Sequence, residues 1–537
     1  MAATGNRGAD ALARAVARAG TRRIFTLSGN HVMPVFDAAL DAGLELLHVR
    51  HEAAAVHMAD AWARLTGEAG MALVTGGPGF ANAVSALYTA AMAEAPVVLL
   101  SGHAPLGQLG RGAFQEMRQA DIAAPLAKAS WASASADALA DDLARAVRIA
   151  RSGRPGPVHL ALPTDCLEAR TTSAIPDLNA YLPEARSPAE PDTRAMTQRL
   201  RAATRPLILA GPVFAPRAMR DRLAELEQAT GVPVVVMESP RGVADPSLGA
   251  FAEMLAQADA VLLLGKRLDF TLRFGQPLAP GCAVMQIDAE PAEIDRTRAA
   301  IGPRLAGAAL GDPVPTLDAL RKSASPASGS WLAEVRDAIT YRPAAWDSAQ
   351  ASEGRVHPAQ ALRPLQALLD GDPDSILVSD GGEIGQWAQA CLGARHRVIN
   401  GVAGSIGAAL PFALAARLAQ PKAPVIAVMG DGTFGFHPAE IDTAVRYGLP
   451  FVAVVGNDAR WNAEYQIQLR DYGRGRLVGC ELLPTRYDQV AAAFGGHGER
   501  VSRAEDVLPA ARRAVASGLP ACINVMIEGL PAPDIRR

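Results

Sequence analysis

Short apolar runs alternate with stretches of helical period along most of the chain. In the first 170 residues a run at 44–49 is followed by helically spaced apolar positions over 53–65 and a second run at 71–74, with further runs at 97–100 and 158–162. Continuous apolar runs of strand length, without alternation, predict strands buried on both faces, and the amphipathic stretches between them predict crossover helices. That is the pattern of a parallel sheet wrapped by helices. An amphipathic stretch at 11–23 leads directly into the run 24–27 and predicts a first domain helix rather than a transit peptide.

The pattern repeats twice more. Residues 171–192 carry several prolines and little periodicity, as a connecting strap does. Strand-like runs then recur at 207–210, 232–237, 261–264 and 284–287, and after a second linker expected over 323–354 they return at 376–379, 425–429, 451–455 and 522–526. The predicted fold class is therefore α/β, as three serial parallel-sheet domains over 1–170, 190–325 and 355–537. The middle one is Rossmann-like, yet no G-x-G-x-x-G follows Gly211-Pro212, which weakens a dinucleotide role.

Composition narrows the partners. The 537 residues carry 52 basic and 55 acidic side chains, a formal charge of −3, so no broad electropositive face for nucleic acid or an anionic membrane is expected. Five cysteines without a C-x-x-C pair fit a reducing compartment rather than a disulfide framework or a thiolate metal site. With no apolar run of about 18 residues and no signal-peptide core, a cytoplasmic protein acting on a small-molecule substrate is the expectation.

The sharpest chemical signal is Gly430-Asp431-Gly432 at the end of a strand, followed by a helix, another strand and Asn457-Asp458. Ligands of such sheets collect at the strand carboxyl ends. If the two strands are neighbours, about 4.8 Å apart, Asp431 and Asp458 converge on one hard cation; magnesium fits better than zinc because no histidine or cysteine joins them. The glycines let backbone amides approach an anion, so a metal-bridged diphosphate is the natural ligand. Alone, Gly-Asp-Gly reads as a turn and Asn-Asp as a helix cap. A second signal is Glu52 in Arg50-His51-Glu52-Ala53, at a strand-to-helix junction where an acidic residue also complements the helix dipole.

Taken together, Gly430-Asp431-Gly432, 24 intervening residues and Asn457 resemble the thiamine diphosphate signature, with Asp458 where the family has a second Asn. The stretch from His51 to Gly102, including Thr75-Gly76-Gly77-Pro78-Gly79-Phe80-Ala81-Asn82, resembles the pyrimidine-binding domain of the acetolactate synthase and benzaldehyde lyase family. The resemblance spans nearly the whole chain and is faintest in the middle. It implies thiamine diphosphate and Mg2+ as cofactors, with Asp431, Asp458 and the Arg460 carbonyl as metal ligands and Asn457 as a reserve ligand. It implies cofactor contacts from Pro78, Gly404, Gly430, Gly432 and Thr433, and a wedge from Ile406 in Gly404-Ser405-Ile406-Gly407. By the same resemblance Glu52 shares a proton with the aminopyrimidine ring and so activates the cofactor.

Pocket residues decide the reaction. His31 stands where benzaldehyde lyase and cyclohexanedione hydrolase carry a catalytic histidine, and Gln115 in Ala113-Phe114-Gln115-Glu116 where they carry a glutamine; Ser28, Phe114 and Trp461 are implied as pocket walls. The short passage from Pro246-Ser247-Leu248-Gly249 into Phe251 implies that FAD is absent. A lyase or carboligase for 2-hydroxy ketones or 2-oxo acids, including flavin-free acetolactate-type synthesis, is the leading reading. Basic residues in Gly265-Lys266-Arg267 keep a 2-hydroxyacyl-CoA lyase or oxalyl-CoA decarboxylase-like enzyme as the alternative. The resemblance also implies a homodimer or homotetramer, with Glu52 and the Asp431–Asp458 rim contributed by different chains.

Overall fold

A computed structural model describes residues 6–322 and 329–537. The chain divides into two compact units, Met1–Ala185 and Arg186–Arg537. The first holds one six-stranded sheet, formed by β1 (Arg23–Thr26), β2 (Glu45–His48), β3 (Gly70–Val74), β4 (Val97–His103), β5 (Ala129–Ala132) and β6 (Val158–Pro163), in the order β2-β1-β3-β4-β6-β5. Every pairing is parallel. Strands β3, β4 and β6 are buried at every position, which is why they read as unbroken apolar runs. The helix Glu52–Thr66 packs so closely on β3 that a Cβ at Gly70 would collide with the Ala59 carbonyl oxygen.

The second unit carries two sheets. The middle one has five parallel strands, β7 (Pro206–Ala210), β8 (Val234–Val236), β9 (Ala260–Leu264), β10 (Ala283–Asp288) and β11 (Leu305–Leu310), in the order β11-β10-β9-β7-β8. The last has six, β12 (Ile376–Asp380), β13 (His396–Ile399), β14 (Val425–Gly430), β15 (Val452–Asn457), β16 (His497–Val501) and β17 (Ala521–Met526). Their order, β13-β12-β14-β15-β17-β16, repeats that of the first sheet strand for strand, again all parallel. Three parallel-sheet α/β domains in series are thus present.

The expected second linker differs from the structure. Residues 323–328 lie outside the described residues, but Trp331–Thr340 is a helix that buries Trp331, Val335 and Ala338 in the middle core. Trp331 Nε1–H also donates to the Pro206 carbonyl at 2.9 Å, tying this segment to β7. Three apolar anchors in an alanine- and serine-rich stretch are too sparse a pattern to stand out in sequence. Among the described residues no helix is long and apolar enough to cross a membrane.

Candidate active site

In the first unit the candidate residues gather at the carboxyl ends of β1, β2, β3 and β4. Glu52 opens the helix Glu52–Thr66 directly after β2, and His51 caps it by accepting the Ala53 N–H at 3.1 Å. A carboxylate in the first turn is favoured by the helix dipole. Glu52 is buried, and its Oε2 accepts from Asn82 Nδ2 at 3.0 Å. A Cβ placed on Gly79 would sit 3.3 Å from Glu52 Oε1 and 2.6 Å from Thr75 Cγ2, so the helix Pro78–Met92 starts against this carboxylate only because Gly79 has no side chain.

Thr75 is shared with the next candidate. Its Oγ1 lies 3.2 Å from His31 Nδ1, and the His31 ring stacks on Phe114 with planes 7° apart and centroids at 5.8 Å. His31 is 3% exposed whereas Phe114 is 67% exposed, so the phenyl ring lies over a buried imidazole. Burial lowers the His31 pKa from its ordinary value, opposed by a hydrogen bond to the Phe114 backbone and assisted by the charge of His103. Gln115 follows with φ of 57°, a left-handed conformation rare outside glycine, and its backbone packs on Gly77. Glu116 holds the turn by accepting the N–H groups of Gly110 and Ala113. Ser28 is exposed and faces His48, which accepts the Ser28 N–H at 3.2 Å.

In the second unit β14 and β15 are neighbours, with Gly430 opposite Gly456, so Asp431 and Asp458 leave adjacent strands at the same end. Both line a cavity of about 190 Å³ with Gly381, Gly404, Ile406, Gly430, Gly432, Thr433, Arg460 and Trp461. Burial pushes the Asp431 carboxyl up to about 6, against the N–H groups of Gly432, Arg460 and Ala459. Burial and then the negative charge of Asp431 push Asp458 up to about 7. Asp431 Oδ2 is buried without a hydrogen-bond partner. Two coupled, desolvated carboxylates and an orphaned oxygen form a donor set that fits a hard divalent cation.

The reserve ligand fares differently. Asn457 Nδ2 donates to the Thr485 carbonyl and Asn524 Oδ1, and its Oδ1 accepts from Ala459 N, so its amide is committed to the fold. Ala459 takes φ of 58° and gives its carbonyl to Leu482 N–H, a kink that turns the chain toward Arg460 and Trp461. The Trp461 ring packs where a Cβ on Gly432 would stand, and meets Phe436 edge-on at 6.2 Å. Gly381, with φ of 62°, leaves room for Thr433 in the same way.

Sequence reasoning missed several supports. Asp380, the last residue of β12, accepts Gly407 N–H at 3.0 Å and Ala409 N–H at 2.9 Å, anchoring the loop that carries Gly404 and Ile406. Its burial raises its pKa to about 7. The Gly407 carbonyl accepts in turn from His437 Nδ1 at 2.8 Å. A charged residue closing an otherwise apolar strand was the signal for Asp380. Gln119, an ordinary polar residue in sequence, was another omission, and Asn82 was read only as part of the stretch 75–82 without its contact to Glu52.

Comparison with known proteins covers all three domains. Residues 6–122 match the family described as "Thiamine pyrophosphate enzyme, N-terminal TPP binding domain", 193–320 its central domain and 380–525 its C-terminal TPP binding domain. The chain is 33% identical over 530 residues to a "Probable acetolactate synthase" of Mycobacterium bovis, covering 96% of this chain and 95% of the relative. It is 31% identical over 568 residues to the Homo sapiens "2-hydroxyacyl-CoA lyase 2", covering 96% and 89%. A Danio rerio protein of the latter name is 28% identical over 97% of this chain and 91% of its own length.

Proposed function

Since the chain belongs to the thiamine pyrophosphate enzyme family and carries that family's three domains in order, we propose that it makes or cleaves the carbon–carbon bond beside a carbonyl in 2-hydroxy ketones or 2-oxo acids. It is a thiamine diphosphate-dependent enzyme of the lyase and carboligase class. The bound cofactor supplies a nucleophilic carbon and an electron sink.

The observation that carries the reading is the buried carboxylate of Glu52, fixed at a helix start and steadied by Asn82. In this position Glu52 would hold the activating proton for the cofactor's aminopyrimidine. Asp431, Asp458 and the Arg460 carbonyl would hold Mg2+, Gly430, Gly432 and Thr433 would hold the diphosphate, and Ile406 would support the cofactor. His31, buried under Phe114 and held by Thr75, moves a proton at the substrate hydroxyl, and Gln115 orients the same group. Trp461 and Ser28 complete the pocket.

We further propose that the enzyme works without flavin. In support, the turn Pro246–Leu248 folds back so that Gly249 lies against the carbonyls of Ala338 and Ile339, leaving the middle domain a short, closed loop. The active unit is proposed as a homodimer or homotetramer in the cytoplasm, with the Glu52 half and the Asp431 half of each site supplied by different chains. Sedimentation of a fully active monomer would refute this.

The reading is tested with Glu52→Gln, which should retain thiamine diphosphate and lose most turnover on any 2-oxo acid or 2-hydroxy ketone. Hydrogen–deuterium exchange at cofactor C2 as fast as in the parent would remove Glu52 from the role. A 2-hydroxyacyl-CoA lyase is the second reading, favoured by the relatives of that name. A thermal shift produced by coenzyme A would select it.

A further inference from the structure

Below the Gly76-Gly77-Pro78 turn runs a buried polar chain to which the proposed chemistry assigns no task. Gln119, Ser101 and His159 are each fully buried in the first unit. Gln119 Oε1 accepts Gly77 N–H at 2.9 Å, which identifies the other end of the amide as the donor. Nε2 donates to the Gly102 carbonyl at 3.0 Å and to Ser101 Oγ at 2.7 Å. The His159 ring then links Ser101 Oγ, 2.7 Å from its Nε2, to Ser130 Oγ, 2.8 Å from its Nδ1. A neutral imidazole fits between the two hydroxyls, donating from one ring nitrogen and accepting at the other. Burial indeed drives the His159 pKa down to about 3, with the ring 4.8 Å from Phe80.

The two backbone segments gripped by Gln119 are those on which the candidate residues rest. Gly77 takes φ of 58° and ψ of −114°, and a Cβ there would stand 2.7 Å from Gln115 Cβ and 2.9 Å from the Gln115 carbonyl oxygen. A Cβ on Gly102 would collide with His31 Cβ, and one on Gly76 would stand 2.7 Å from the Gly102 carbonyl oxygen. Gly77 also caps the helix Pro78–Met92, whose Asn82 steadies Glu52. One amide therefore braces the supports of His31, Gln115 and Glu52 together.

We propose that Gln119 is a positioning residue of this active site, its amide fixing Gly77 against Gln115 and Gly102 against His31, with Ser101 and neutral His159 fixing the orientation of the amide. The proposal rests on the reading that His31 and Gln115 handle the substrate. The expected cost of losing this amide is about 10- to 100-fold in turnover, the scale seen when an outer partner of a metal ligand is removed.

The test compares Gln119→Ala and Gln119→Glu with pyruvate as the simplest 2-oxo acid, or with a 2-hydroxy ketone the parent cleaves faster. Gln119→Ala should lose 10- to 100-fold in kcat with KM and thiamine diphosphate retention little changed. Gln119→Glu should match that loss at pH 8, where an ionised carboxylate has no hydrogen to give Gly102 or Ser101, and recover as pH falls and the buried carboxyl gains one. Melting temperatures are read beside the rates. Full kcat in Gln119→Ala overturns the proposal, and so does a loss that only tracks the unfolded fraction, with no recovery of the glutamate variant at low pH. His31→Ala and Gln115→Ala are measured in parallel: unchanged turnover in both removes the reading beneath the proposal, whereas losses in both with full activity in Gln119→Ala overturn the proposal alone.

Discussion

The two halves of the candidate set, one in each unit, are built on opposite electrostatic principles. Around Glu52, His31 and Gln115 the protein supplies its own partners: Asn82 for the carboxylate, Thr75 for the imidazole, and Gln119 for the backbone beneath. Around Asp431 and Asp458 it leaves two desolvated carboxylates to repel each other and one buried oxygen without a partner. A satisfied network holds its geometry without a ligand, while an unsatisfied one is a deficit that a bound cation or an added proton removes. The first half thus suits the proton transfer proposed for it, and the second suits a hard cation.

The sharpest break of this contrast is between rate and binding. Glu52→Gln and His31→Ala should each cut turnover by about 10²- to 10⁴-fold while cofactor affinity, read by fluorescence titration, stays near the parent's. His31→Asn serves as a volume control, and unchanged rates in both His31 variants would reduce His31 to a loop residue. Asp431→Ala should do the reverse, weakening Mg2+ and thiamine diphosphate by more than about 10²-fold, since even the loss of an outer partner of a metal ligand costs 10- to 100-fold. Excess metal and cofactor should then restore part of its activity.

A smaller effect appears in thermal melts. Mg2+ with thiamine diphosphate at about 100 times Kd should stabilise the parent by about 2.7 kcal/mol. Glu52→Gln should keep that shift and Asp431→Ala should lose it; equal shifts in the two variants would erase the contrast between the halves.

The smallest effect, read over a single pH unit, lies in pH. His159 has a folded pKa of about 3 against 6.5 for a free histidine, so below pH 6.5 the unfolded chain binds a proton that the folded one refuses. The stability this group contributes is present above pH 6.5 and falls as pH drops toward 3, by up to about 1.4 kcal/mol per pH unit. Replacing it with Gln should flatten that limb of a urea-denaturation series, and an unaltered slope would argue that His159 is not the group being charged.

Legibility in the sequence followed burial. Central strands such as β3, β9 and β14 were readable because both faces are covered and polar residues are excluded. Strands β5, β11, β13 and β16 were not found; each closes one side of its sheet, and half-buried positions there admit Ser130, Gly307, Arg397 and Glu499. In the site, residues that carry chemistry stood out through spacing, as Gly430-Asp431-Gly432 does. Gln119 did not, because its importance lies in contacts made 42 residues away at Gly77, and a glutamine has no pattern that announces them.

Because the first and last sheets share one strand order, the turns after their third strands, Gly76-Gly77-Pro78 and Gly430-Asp431-Gly432, are equivalent positions of one scaffold used twice. For a protein engineer this makes the strand-end turns interchangeable parts of known address. The frame fixes where a turn is presented, and only the turn fixes what it binds. Libraries confined to the turns after β1 and β4 would ask whether substrate choice follows those turns while the buried strand sequences stay as they are.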